Sequence, residues 1–453
     1  MDTNLSRRAL LKWMGVGAAS AALAACVAPQ APAGGAAPGQ EAVEIAWARH
    51  GAETDLTTEN ALAEMFNEQT PGVVVKPLVL PWDDYNAKIP VMVAGGTAPD
   101  TFGAHPALLK ATYDAEGLIP IDSYIEANAD AVDYDDVLYP GDANFDGQVV
   151  GLPQKSCTHQ VRFNKQLFAE VGLTTPGEIF WEQGAEGWNV NTFVEMGKEL
   201  TKDLDGDGVP DQYFYGGQSG TSILSIIRSF GGDVVSEDFT KCVLTESAAV
   251  DAIQWMADLV LVHQIQPPPE MQASQLGINF ETGKIAVAGA NTCDQTRDLR
   301  EGYELPFEWD YVVLPDGGAG FRCWGDTDQI VITPTSTSPD DAFAWMLYRG
   351  SKEAWEQAYE GGIILAYSDG PTRRSIFETK AYQEPLGKVD IKMIETGYGY
   401  TIPNPYVPRT PDPYRILFTI VPTEVDNVLR GVKTAEQAAA DMCVLIEEVL
   451  ASA

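Results

Sequence analysis

Basic residues are scarce in this chain: 29 Lys and Arg stand against 65 Asp and Glu, a formal charge of -36 over 453 residues. So acidic a surface repels phosphate backbones and anionic headgroups, which argues against nucleic acid and against a basic membrane-binding patch. Histidine is scarcer, with four in all and none at metal-ligand spacing. None of the six cysteines forms a CxxC pair, so zinc and thiol redox chemistry have no support in the pattern. After Cys26 no apolar run is long enough to cross a bilayer core of roughly 30 Å, and nothing recurs at solenoid periods. The remaining description is an acidic chain long enough for two or three domains, each burying its own core.

The first informative stretch is residues 1–26. Ser6-Arg7-Arg8-Ala9-Leu10-Leu11-Lys12 leads into an apolar run rich in Gly and Ala, which ends at Leu23-Ala24-Ala25-Cys26. The run from Trp13 to Ala25 is too short for a helical span. The pattern resembles a twin-arginine signal closed by a lipobox, which implies export in folded form, cleavage before Cys26 and diacylglycerol on its thiol. Cleavage removes Arg7, Arg8 and Lys12 against Asp2 alone, so the formal charge moves from -36 to -38. Membrane attachment then rests on acyl chains, at about 0.8 kcal/mol per buried methylene. Residues 27–40 are rich in Pro, Gly and Ala, without an apolar period, and read as a flexible tether. With Cys26 lipidated, an odd number of cysteines remains: Cys157, Cys242, Cys293, Cys323 and Cys443. At least one thiol is expected to be free, and the pairing of the rest stays open.

Strands and helices then alternate. Val43 to Trp47 reads as a strand, and the next segment is a helix with Leu62, Met65 and Phe66 on one face. Val73 to Val79 is a second strand, and a helix from near Asp83 is expected to be kinked or shortened by Pro90. The order strand, helix, strand, helix is that of a parallel sheet flanked by helices. Further on, Thr158 to Phe163 is a strand and Lys165 to Val171 a helix stopped by Gly172. Ala249, Ile253, Met256 and Val260 mark one buried helical face. Trp309 to Leu314 and Gln329 to Thr333 are strands, and Asp340 to Arg349 begins another helix. Thr434 with Gln437 makes a capping box for a last helix, whose stripe is Ala438, Met442, Leu445, Ile446 and Val449.

Six segments in order carry a resemblance. They are the first strand with Trp47, Gly96-x-x-Pro99-Asp100, Gly151-Leu152-Pro153, Phe163-Asn164-Lys165-x-x-Phe168-x-x-x-Gly172-Leu173, Phe280-Glu281-x-Gly283-Lys284-Ile285-Ala286 and Val313-Leu314-Pro315. Together they resemble family 1 extracellular solute-binding proteins, the receptors of ABC importers, many of which carry sugars. The likeness covers about residues 41 to 450. It implies an α/β, two-lobed periplasmic-binding-protein-like fold, each lobe a sheet flanked by helices, with the ligand cleft between the lobes. One lobe would hold residues 41–155 and 310–366, the other 156–309 and 367–453.

Candidate site residues follow from that likeness and from the rule that ligands sit beyond the carboxyl ends of strands in open α/β sheets. Arg49 and His50 directly follow the first strand, at a position where the family often contacts ligand; a salt bridge is the competing role for Arg49. His105 follows the Pro99-Asp100 turn. Ser219, Thr221 and Ser222 precede a helix, where a hydroxyl serves either as an N-cap or as a ligand contact. Where relatives commonly have Gly-Ser-Trp, this chain has Asn291-Thr292-Cys293-Asp294, so a stacking aromatic is missing and Asp294 takes its neighbourhood. Trp324 with Asp326 offers an alternative aromatic plane beside a carboxylate, suited to the C–H faces and hydroxyl rim of a sugar. Tyr406 and Arg409 stand where the family makes late cleft contacts.

Asp203-Leu204-Asp205-Gly206-Asp207-Gly208-Val209-Pro210-Asp211 is the densest motif. Asp203, Asp205, Asp207 and Asp211 fall at positions 1, 3, 5 and 9 of an EF-hand-like loop, with Gly206 at the sharp turn. Phe214 stands where the bidentate Glu belongs. The expectation is a structural Ca²⁺ and no catalytic cofactor. The whole reads as a lipid-anchored receptor, monomeric and held at the outer face of the cytoplasmic membrane. It would pass a mono- or oligosaccharide to ABC importer permease subunits, without chemistry. Two rivals are an exported glycoside hydrolase and a calcium-dependent adhesion lipoprotein. With 65 acidic residues, paired carboxylates are too common to single out the hydrolase.

Overall fold

Alternation in the first strand sets up the layers. In β1 (Val43–His50), Ile45 and Trp47 enter one apolar cluster and Ala48 another, on the opposite face. The helix α1 (Glu53–Gln69) supplies Leu62, Ala63 and Phe66 to the first cluster. The strand β2 (Val73–Leu80), helix α2 (Trp82–Ala94), strand β3 (Thr101–Ala104) and helix α3 (Pro106–Asp114) follow. Tyr85, Ile89, Phe102 and Leu109 fill the second cluster. Helices therefore cover both faces, and each fully buried Leu or Phe contributes roughly 1.5–3 kcal/mol. Pro90 does not shorten α2, which continues to Ala94. Pro90 is exposed, so its ring takes no place on the packed face of the helix, which is formed by Tyr85 and Ile89.

The structure, a computed structural model, describes residues 42–139, 143–217, 220–273, 277–367, 369–402 and 410–452. The signal, the tether and Cys26 lie outside the described residues, as do Ser219, Tyr406 and Arg409. Among the described residues no helix is long and apolar enough to cross a membrane.

A small hairpin, β4 (Asn144–Phe145) with β5 (Gln148–Val149), precedes the long strand β6 (Gly151–Asn164). Then come β7 (Tyr213–Tyr215), β8 (Ile285–Asn291), β9 (Trp309–Val312), β10 (Cys323–Ile332) and β11 (Thr401–Ile402). One nine-stranded sheet runs β2-β1-β3-β10-β6-β8-β7, with β9 joined to β6 and β11 to β10. β1 is parallel to β2 and β3, and β7 to β8, whereas β6 and β10 are antiparallel to each other. These two long strands cross between the halves of the sheet. Gly151 and Leu152 pair with Val331 and Ile330 beside β3, while His159 to Phe163 pair with Asn291 to Val287 of β8. The register between β10 and β6 shifts where Asp328 pairs with Lys155 and Gln329 with Pro153, so Gln154 is the extra residue of a bulge on β6 beside Pro153. Proline brings no amide hydrogen to a ladder, and a bulge is where a sheet tolerates it.

The expected helices are present. Lys165–Val171 is capped by Asn164, whose side chain accepts from the Gln166 and Leu167 amides, and ends at Gly172 with φ +72°. Ser247–Leu261 buries Ala249, Ile253, Met256 and Val260. It packs against Ala435–Leu450, whose Thr434–Gln437 capping box forms and whose Met442, Ile446 and Val449 are buried. A disulfide, Cys242–Cys443, ties the approach to the first of these helices to the second. The other disulfide is Cys157–Cys293, which leaves Cys323 as the free thiol among the described residues. Burial pushes that thiol up to about 12.

Candidate ligand-binding cavity

A cavity of about 880 Å³ opens beyond the carboxyl ends of the parallel strands, where such sheets hold ligands. His50 closes β1, Trp82 follows β2 and His105 follows β3, so three neighbouring strand ends feed one wall. Lys155 and Cys157 of β6 and Asp328 of β10 form the floor. From beyond β8 come Asn291, Cys293, Arg297 and Arg300, and Thr221 projects from the start of the helix Gly220–Ser229. Tyr367, Tyr414 and Phe418 complete the rim. The volume suits a ligand of drug or short-oligosaccharide size.

The floor is polar because the crossing strand is polar. Gln154, Lys155, Ser156, Thr158, His159 and Gln160 are buried along β6, where a strand covered only by helices would be apolar. His50 Nε2 lies 2.7 Å from Asp328 Oδ2. Burial alone would push the Asp328 carboxyl up. The charge and hydrogen bond of His50, helped by His105 and Lys155, outweigh it and hold Asp328 far below the usual carboxylate range. Trp82 stands edge-on between the two histidines, with ring centroids 4.8 Å from His50 and 5.0 Å from His105. The indole is half-buried and touches the cavity.

Behind this wall lies a buried cluster of four charges. Arg49 meets Glu59 at 2.7 Å and Asp369 at 3.2 Å, and Arg349 meets the same two carboxylates at 2.7 and 2.6 Å. Trp47 Nε1 donates to Glu59 at 2.9 Å. Each carboxylate thus faces two guanidinium groups. Burial opposes their ionisation, yet Arg49 and Arg349 together hold Asp369 at about 2 and Glu59 below its ordinary value. The salt bridge competing for Arg49 exists, but in the interior: Arg49 borders the cavity while its charge is already matched.

The other sequence candidates divide. His50, His105 and Thr221 line the cavity with Arg49. Trp324 does not: it is buried, its amide donates to Ser225 Oγ at 2.8 Å, and the Arg228 guanidinium lies 5.9 Å from its ring. The indole is core, as apolar area and a cation–π partner favour. Ser222 is likewise buried and outside the lining. Asp294 belongs to the turn Thr292–Gln295 between the lining residues Cys293 and Arg297, and Asp326 sits in β10 beside the floor; their side chains lie outside the described residues. Trp82, Lys155, Asp328, Arg297 and Arg300 were not singled out from sequence. For Trp82 the signal was available, since it follows β2 as His50 follows β1.

The Asp203–Asp211 loop is remote in sequence from every floor residue and is exposed. Oxygens of Asp203, Asp205 and Asp211 lie within 4.8 Å of one another. Two oxygens bound to one Ca²⁺ at 2.3–2.6 Å can be at most about 5 Å apart, so the three fit a common ion. Asp207 is not in that group; its carboxylate accepts from Val209 N–H at 2.8 Å. Amides of Gly208 and Gly206 donate to Asp203 and hold its carboxyl below the ordinary range. Phe214 is fully buried and supplies no ligand.

A cavity whose walls come from both halves of an α/β sheet, and whose floor is the strands joining them, defines a ligand receptor of the two-lobed, maltose-binding-protein-like class. The profile of the family described as bacterial extracellular solute-binding protein matches residues 50–354, and the chain belongs to that family. A relative from Brucella abortus, described only as a binding protein, is 22% identical over 311 residues, 66% of this chain and 70% of its own. The Listeria monocytogenes ABC substrate-binding protein in complex with cycloalternan has a TM-score of 0.75 at 19% identity, covering 91% of this chain and 100% of that one. An acarbose receptor of Streptomyces glaucescens gives 0.72 at 21%, covering 90% and 99%. The maltose-bound protein of T. maritima gives 0.70 at 19%, covering 90% and 100%. At these identities the structural likeness fixes the fold.

Proposed function

We propose that this chain is an exported, lipid-anchored receptor that delivers a carbohydrate to the permease of an ABC importer. The observation that carries the reading is the cavity wall itself. Trp82, Tyr367, Tyr414 and Phe418 offer aromatic planes to sugar C–H faces, and Thr221, Asn291 and Asp328 stand among them for hydroxyl groups. Solved relatives of the same fold hold cycloalternan, acarbose and maltose, which supports the class of ligand. The reading includes the twin-arginine route, the lipid on Cys26 and a monomeric mature domain in two lobes, split near residues 155 and 310. A tether of residues 27–40 would keep it near its permease and raise their effective concentration. Binding would favour a closed arrangement by its differential affinity, without turnover.

A thermal-shift screen of mono- and oligosaccharides on the purified protein tests this. At a ligand concentration of 100 times Kd the expected stabilisation is about 2.7 kcal/mol, a rise in melting temperature of a few degrees. A flat response across sugars, with a response to peptides or amino acids, overturns the carbohydrate assignment. For the structural Ca²⁺ near Asp203, the same screen with EGTA is expected to lower the melting temperature and added Ca²⁺ to restore it. D203N should abolish that difference.

A further inference from the structure

In a chain where acids outnumber bases by 65 to 29, the cavity reverses the balance. Among the described side chains, its lining holds Arg49, Lys155, Arg297 and Arg300 against Asp55 and Asp328, with His50 and His105 in addition. The two carboxylates are already engaged. Asp328 takes the His50 contact at 2.7 Å, and Asp55 accepts the Ala52 amide at 2.6 Å. Arg49 is neutralised by the buried cluster behind the wall.

Arg297 and Arg300 are different. They lie three residues apart on the tight turn Thr296–Leu299 and just past it, closed by the Arg300 amide donating to the Arg297 carbonyl at 3.1 Å. Both side chains line the cavity. Arg300 makes no ion pair among the described residues; its guanidinium lies 4.1 Å from the Tyr303 ring centre, and its buried Nε has no hydrogen-bond partner. Among the described residues Arg297 pairs with Asp298 alone, at 3.6 Å, and that carboxylate is held more closely by Arg162 at 2.7 Å. Neutral sugar hydroxyls do not require two under-matched guanidinium groups. A planar or tetrahedral anion does, since the guanidinium fork fits its oxygens in pairs.

We infer that the cavity takes an acidic saccharide, whose carboxylate or phosphate group sits against Arg297 and Arg300. The inference rests on the carbohydrate reading and narrows it. The protein's overall negative charge does not forbid it, because with a Debye length of about 8 Å at physiological ionic strength the groups lining the cavity outweigh distant surface acids.

The test is calorimetric titration of the purified full chain with matched pairs: digalacturonate against galactobiose, glucuronate against glucose, and glucose 6-phosphate against glucose. At least one acid is expected to bind about tenfold tighter than its neutral partner, a difference of about 1.4 kcal/mol, and to weaken as NaCl is raised. In R297Q/R300Q the ratio of acid to neutral affinity should fall to about one, and where that variant folds poorly the salt dependence of the unaltered protein decides. A response confined to the uronates assigns a carboxylate and one confined to the sugar phosphate assigns a phosphate. Neutral sugars that bind while no acid gains, a preference insensitive to salt, or one that survives R297Q/R300Q each overturn the inference and leave the carbohydrate reading standing. Silence from every saccharide overturns both.

Discussion

Arg49 shows how one residue can sit at a binding cavity and still belong to the interior. Its partners Glu59 and Asp369 are 10 and 320 residues away, and no local pattern joins them. Removing one carboxylate leaves two buried guanidinium groups with a single partner, which typically costs about 3–5 kcal/mol. D369N is therefore expected to lower stability by that amount in urea denaturation, with a smaller loss for a distant surface Asp. The pH dependence has a definite sign. Asp369 titrates at about 2 in the folded chain, below its unfolded value, so its contribution is full above about pH 4 and is lost as pH falls towards 2. A D369N chain should show a flatter acid limb between those values. Trp324 and Trp82 teach the complementary lesson. Flanking Gly and acids made Trp324 look exposed, but strand pairing buried it, and only the position of Trp82 after a strand pointed to its role.

At the scale of elements the sequence was more legible. Hydrophobic period located β2 and the helices at 165–171, 247–261 and 435–450 to within a residue or two, because each buries one face against a sheet or a neighbour, whereas β1 runs three residues past the expected Trp47 and takes in Arg49 and His50. What escaped was the length of β6 and β10. Their central residues are polar yet buried, so periodicity did not report a continuous strand, although Lys155 and Cys157 of this stretch reach the cavity floor. Strand ends gave half the wall: the rule that selected His50 and His105 applies equally to Trp82. W82A is expected to weaken ligand by about tenfold or more, about 1.4 kcal/mol, while W324A should act through stability, visible as a lower melting temperature. The Cys242–Cys443 link spans 201 residues of chain. Replacing both cysteines by alanine is expected to cost about 2–5 kcal/mol of stability, measured by denaturation, with ligand affinity unchanged because neither residue reaches the cavity.

For the whole molecule, the second disulfide has a mechanical meaning. Cys157 lies in the middle of a crossing strand, and Cys293 lies just past β8, so the bond fastens the centre of β6 to the half of the sheet that holds β7 and β8. From Cys157 onward the crossing strand is covalently part of that half. Any opening between the halves must then bend β6 on its other side, between the bulge beside Pro153 and Cys157, and β10 at the matching residues. In the closure proposed above the hinge would therefore lie nearer the β1–β3 half, and closing would bring His50, Trp82 and His105 towards Arg297 and Arg300 on the disulfide-fastened side.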